Sequence, residues 1–133
     1  MTQRSLDELL ADEKDAISVA VQGRMRGDQT MSVVAAQREL RERDLVAQVL
    51  GFWLTAIRSD LELGFSETMR QNLEWLVSLR SGHQLPFPDS LVGRMFRDIS
   101  DEIEARLETD DQRARYAAYR DDVIRIIAET FPG

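Results

Sequence analysis

Cysteine is absent from the 133-residue chain, and histidine occurs once, at His83. Without thiols there is no disulfide framework, thiolate metal site or cysteine nucleophile. A single imidazole excludes two-histidine zinc motifs and any serine–histidine machinery that needs a second histidine. Lysine is nearly missing too, with Lys14 the sole lysine among 17 basic residues. Long hydrophobic runs are also lacking. The longest, Leu45 to Ile57, covers 13 residues and is broken by Gln48, Gly51 and Thr55, whereas a membrane span needs roughly 20. Positive charge is in deficit: the net charge is −7 and the pI about 4.7, a poor match to a phosphate backbone. The chain is therefore expected to bind neither membrane nor nucleic acid. Its N-terminus turns acidic at Asp7 and Glu8 with no apolar targeting segment, which implies a cytoplasmic protein.

What is present has the composition of a folded domain, 43% hydrophobic and 31% charged, and the length suits one domain, residues 1–133. Every periodic segment has the helical period. Ser5-Leu6-Asp7-Glu8 is a capping box that opens a helix with Leu6, Leu9, Leu10, Ile17, Ala20 and Val21 on one face. A second helical region runs from about Met31 to Leu63, ended by Gly64. Ser66 can cap a third, with Met69, Leu73, Leu76 and Leu79 at helical spacing. After the loop His83–Pro88, the stripe Val92, Phe96, Ile99, Ile103 and Leu107 marks a fourth. Thr109-Asp110-Asp111-Gln112 is a second capping box, opening a helix with Tyr116, Tyr119, Val123 and Ile127. No segment alternates with period two for long enough to form a strand. The pattern predicts an all-α domain of five helices, globin-like or a helical bundle.

Chemistry-bearing clusters are few. The acidic run Asp98, Asp101, Glu102, Glu104, Glu108, Asp110 and Asp111 offers oxygen ligands, but it lies opposite the Phe96–Ile99–Ile103 stripe. It has no calcium-loop glycine, and one histidine cannot complete a di-iron site. A solvated face is the better reading, and no metal or cofactor is expected. Arg24, Arg26, Arg38, Arg41 and Arg43 interleave with Asp28, Glu39, Glu42 and Asp44, which reads as ion-paired surface. His83, in a loop, reads as a surface residue. Trp53, Trp75 and Phe96 are candidates to line an apolar pocket, with ordinary core packing as the alternative. Catalytic carboxylates need an apolar pocket to shift their pKa, and each acidic cluster here reads as solvated, so no enzymatic site is expected.

The stretch Leu45 to Ile57 is the most informative. A helix apolar nearly all round must be buried nearly all round, and five short helices have limited surface with which to surround it. This favours a helix that serves both the core and a subunit interface, with Gly51 allowing close approach of another helix, over the alternative of a central helix in a monomer. Candidate homodimer contacts are Val46, Leu50, Gly51, Trp53, Leu54 and Ile57, joined by Tyr119, Val123 and Ile127 of the last helix.

Gly64-Phe65-Ser66-Glu67-Thr68, followed by Leu76 through Leu79-Arg80, resembles the N-terminal sensor domains of RsbR-type stressosome proteins, as does Tyr116 to Ile124. The resemblance covers the chain from Leu45 onward, without the Pro-Ser of the family's own Gly-Phe-Ser-Pro-Ser-Glu-Thr stretch. It implies a globin-like helical domain, usually without haem, that dimerises and passes a stress signal to a C-terminal partner domain, residues 1–133 then being the sensor part of a longer protein. The function expected is thus a non-enzymatic sensory or regulatory domain that homodimerises and relays a signal by helix repacking. The alternatives are a small-molecule-binding bundle with a pocket near Trp53 and Trp75, and an adaptor that binds a basic protein through its acidic face.

Overall fold

The structure is a computed structural model that describes residues 4–26, 40–81 and 89–131, with the side chains of 26, 40–47, 79–81 and 89–91 excepted. Five helices make up the described chain: α1 (Leu6–Arg26), α2 (Leu40–Leu63), α3 (Glu67–Ser81), α4 (Asp89–Glu104) and α5 (Asp110–Thr130). They close a ring in which α1 packs on α2 and α4, α2 on α3, and α5 on both α3 and α4 while also touching α2. The predicted all-α bundle is what forms. His83, the loop around it and residues 31–39 lie outside the described residues.

Sequence signals place most helix ends. The Ser5 hydroxyl accepts from the Glu8 amide at 3.1 Å, satisfying one of the free donors of the first turn. At the start of α5 the whole capping box is made: Thr109 accepts from the Gln112 amide, and the Gln112 side chain accepts from the Thr109 amide. Gln112 goes further. Its Oε1 also takes the Glu108 amide at 2.7 Å, and its Nε2 donates to the Arg4 carbonyl at 2.9 Å, tying the N-terminal segment to α5. Gly64 ends α2 with φ of 77°, a left-handed conformation that glycine adopts without a Cβ penalty.

The core is a single cluster fed by all five helices. On α4 the stripe Val92, Phe96, Ile99 and Ile103 is buried as the period requires, with Met95 beside it. On α1, Leu9, Ile17 and Val21 are fully buried. The hydrophilic turn between them is explained by ion pairing: Glu13 meets Arg4 at 3.3 Å and Arg106 at 3.6 Å. The helix α2 departs from the expectation of burial on every side. Val49, Leu50, Trp53, Leu54, Ala56 and Ile57 are buried, yet Phe52 remains 54% exposed, and Gln48 and Thr55 on the same face are exposed with it. At the edge of this exposed arc Lys14 of α1 donates to the Thr55 hydroxyl at 3.3 Å. Among the described residues nothing presses on Gly51, since a Cβ built there would meet no atom within 4 Å.

Candidate functional site

Aromatic residues define the outer face of α2 and α3. The Phe52 and Trp75 rings meet edge to face, with centroids 6.2 Å apart and planes at 82°, a geometry favoured by the ring quadrupoles. Both are substantially exposed, Trp75 at 43%. The stripe Met69, Leu73 and Leu76 turns inward, and Trp75, immediately before Leu76, is thereby turned to the outside. Positions three and four residues from either ring hold no charge: Gln48 and Thr55 on α2, and Gln71, Asn72 and Ser78 on α3, are polar and neutral. In a chain that is 31% charged, α2 and α3 thus contribute a polar, uncharged strip with an aromatic centre, and the Lys14 ammonium of α1 borders it by donating to the Thr55 hydroxyl at 3.3 Å.

The expected pocket residues do not come together there. Trp53 and Phe96 are core side chains, 1% and 0% exposed, whereas Trp75 is on the exterior beside Phe52. The expected dimer contacts are placed differently as well. Leu50, Trp53, Leu54, Ile57, Tyr119, Val123 and Ile127 are all buried within the one chain, so a partner would reach them only by opening the bundle. Gly51 is half-buried, and the side chain of Val46 lies outside the described residues. The surface aromatic of α2 is Phe52, which the run of apolar residues around it conceals in the sequence.

Beneath this face is a polar assembly that the sequence pattern did not single out. Asp60 is completely buried. Its carboxylate accepts from the Thr68 and Met69 amides of α3 at 2.9 and 3.0 Å and from the Tyr119 hydroxyl of α5 at 2.8 Å. Its backbone carbonyl accepts the Gly64 and Phe65 amides at 2.8 and 3.1 Å. Ser66 occupies the N-cap position of α3, its carbonyl accepting from the Arg70 amide at 3.1 Å. The expected side-chain cap is not made there, because the Ser66 hydroxyl donates to Asp122 of α5. Arg115 donates to the Leu61 carbonyl at 2.9 Å. Thus Arg115, Tyr119 and Asp122, on one face of α5, hold the α2–α3 turn. The adjoining face of α5 holds α4 through Tyr116 with Ser100 at 2.8 Å and Arg120 with Glu104. Burial pushes both tyrosine hydroxyls above their ordinary pKa, and for Tyr119 the Asp60 carboxylate adds to the effect. The Ser66 hydroxyl, and after it Arg125, hold the Asp122 carboxyl below its ordinary value.

The acidic run is largely ion-paired within the chain. Arg24 reaches Asp98, Asp101 and Glu102 at 3.8, 3.4 and 2.5 Å, Arg106 reaches Glu102 at 2.8 Å, and Arg4 reaches Glu108 at 3.1 Å. These arginines clamp α1 and the N-terminal segment to the α4–α5 region. Arg106, followed by Arg24, lowers the Glu102 pKa despite the opposing effect of desolvation. Among the described residues no group of three or more histidine, aspartate or glutamate side chains is placed to hold a metal ion, and no helix is long and apolar enough to cross a membrane.

The fold defines the class, an all-α bundle. No family model, curated protein or solved structure matches the chain.

Proposed function

We propose that the chain is a non-enzymatic sensory or regulatory domain that works by homodimerisation through the outer face of α2 and α3. The observation that carries this reading is the exposed Phe52–Trp75 pair. Aromatic side chains present roughly 200 Å² each, so the two rings leave on the order of 200 Å² of apolar surface in water. Four such rings across a two-fold axis supply about a quarter of a standard 1,600 Å² interface. That is the share expected of a central anchor surrounded by neutral polar contacts. A second copy is the occupant favoured by charge. Two chains of net charge −7 repel over most of their surfaces, and a strip without acidic side chains, bordered by the Lys14 ammonium on Thr55, is where they approach at least cost. The likeness of the Gly64–Thr68 turn to RsbR-type sensor domains supports the same reading, in which a signal shifts helix packing at the interface and is passed to a partner domain.

Light scattering over a wide concentration range tests it. The wild-type chain is expected to rise from 15.2 kDa towards twice that mass, and the double variant Phe52→Ser, Trp75→Ser to remain at the lower value. A wild-type mass that never rises, or a double variant that still dimerises, overturns the reading. The competing apolar pocket has less support, since Trp75 stands outside the core that holds Trp53 and Phe96. The acidic-adaptor reading is weakened by the arginines that engage Asp101, Glu102, Glu104 and Glu108.

A further inference from the structure

We infer that the Asp60–Tyr119 hydrogen bond is a positioning link by which α5 sets the placement of α3, and with it the Phe52–Trp75 pair. The regulatory meaning of this link rests on the α2–α3 face being the association surface; the link itself does not.

The inference follows from how α3 is held. A helix N-terminus has free amides that need acceptors, and these are ordinarily supplied by a neighbouring residue of the same segment. In α3 the Ser66 hydroxyl is directed to Asp122. The amides of Thr68 and Met69 are taken by Asp60, a residue of the preceding helix. That carboxylate is itself positioned by the Tyr119 hydroxyl. Two residues of α5, Tyr119 and Asp122, therefore fix one end of α3, one through Asp60 and one through Ser66. Beyond that end α3 is a continuous helix, and Trp75 stands roughly 10 Å along it at 1.5 Å per residue. A tilt of about 5° at the first turn moves Trp75 by about 1 Å at that distance, enough to disturb an edge-to-face contact. A displacement of α5 thus reaches the surface pair through a hydrogen-bonded joint, alongside the core packing of Met69, Leu73 and Leu76. In the proposed dimer, a displacement of α5 is therefore read at α3 and its Trp75.

Tyr119→Phe tests this, because it keeps the buried ring and removes only the hydroxyl. The full chain carries 5-fluorotryptophan, and the Trp75 resonance is assigned by its loss in Trp75→Phe. Two readouts are taken on the fluorinated protein at low concentration: amide exchange at Thr68 and Met69, and the Trp75 fluorine shift. Tyr119→Phe is expected to speed exchange at both amides at least several-fold and to move the Trp75 resonance. Thr109→Ala, which weakens the α5 cap without touching Asp60, is expected to leave both unchanged. Unchanged exchange in Tyr119→Phe overturns the link, and faster exchange with an unmoved Trp75 resonance overturns transmission to the surface. Neither readout needs a dimer, so failure of the association reading is recognised separately, by a wild-type chain that stays monomeric in light scattering.

Discussion

Replacing Asp60 with alanine is expected to be among the most damaging single changes in this protein. The substitution removes an acceptor shared by three donors: the amides of Thr68 and Met69 and the hydroxyl of Tyr119. A buried donor left unsatisfied costs about 1–3 kcal/mol. The Met69 and Tyr119 donors are buried, while Thr68 is half-buried and can recruit water, which puts it at the low end. The sum is about 3–7 kcal/mol, a large fraction of the roughly 5–15 kcal/mol that stabilises a domain. For a chain of this length it corresponds to a fall in Tm of about 10 °C or more. Urea unfolding followed by circular dichroism measures the loss directly. Tyr119→Phe leaves the carboxylate with its two amides and is expected to cost about 1–2 kcal/mol. In the double variant the two losses are not additive, because removal of either partner already breaks the shared bond. A cost for Asp60→Ala below about 1 kcal/mol, or simple additivity with Tyr119→Phe, would refute the assignment of Asp60 as the joint of three helices.

Other expectations follow from the same geometry. Gly64→Ala forces a Cβ onto a backbone at φ of 77° and should destabilise the chain by about 1 kcal/mol, read as a shifted urea midpoint with unchanged m-value. Stability should decline as pH falls below about 4.5, because Asp7, Glu102 and Asp122 have depressed values in the folded state. Their contribution is present above the ordinary carboxylate range and lost as pH falls through the folded values; Asp122→Asn should flatten this acid limb. At the other extreme, Tyr116 and Tyr119 keep their protons when folded, so stability should fall as pH rises above about 10, where the unfolded tyrosines ionise. Added salt should strengthen self-association, since it screens repulsion between two chains of charge −7 without weakening aromatic contact. A dimer that dissociates as salt rises would point to an ion-paired interface instead.

Local signals carried the architecture. The Thr109–Gln112 box, the Gly64 terminator and the Phe96–Ile99–Ile103 stripe each reach their structural role by interactions within a few residues, and such interactions are written in the order of the chain. Asp60 was legible in part. It follows Trp53 by seven residues and Ala56 by four, which places it on the buried arc of α2. A pattern that ends at Ile57 overlooks it, and its donors, from α3 and α5, are set by tertiary packing alone. Phe52 shows the opposite difficulty. In a run of apolar residues each looks equally buried, and only the positions of α1 and α3 decide which one faces water. For Trp75 the inward stripe of Met69, Leu73 and Leu76 already implied an outward ring, although tryptophan's usual preference for burial suggested a pocket.

The association surface is tested most directly by a photoreactive benzophenone side chain placed at position 71, one turn from Trp75 and exposed. Irradiation of this chain at a concentration where it is dimeric should give a covalent dimer whose cross-link maps to the α2–α3 face of the second copy, within residues 48–59 or 68–78. Cross-links that map to α1 or α4, or no covalent dimer at all, would contradict it.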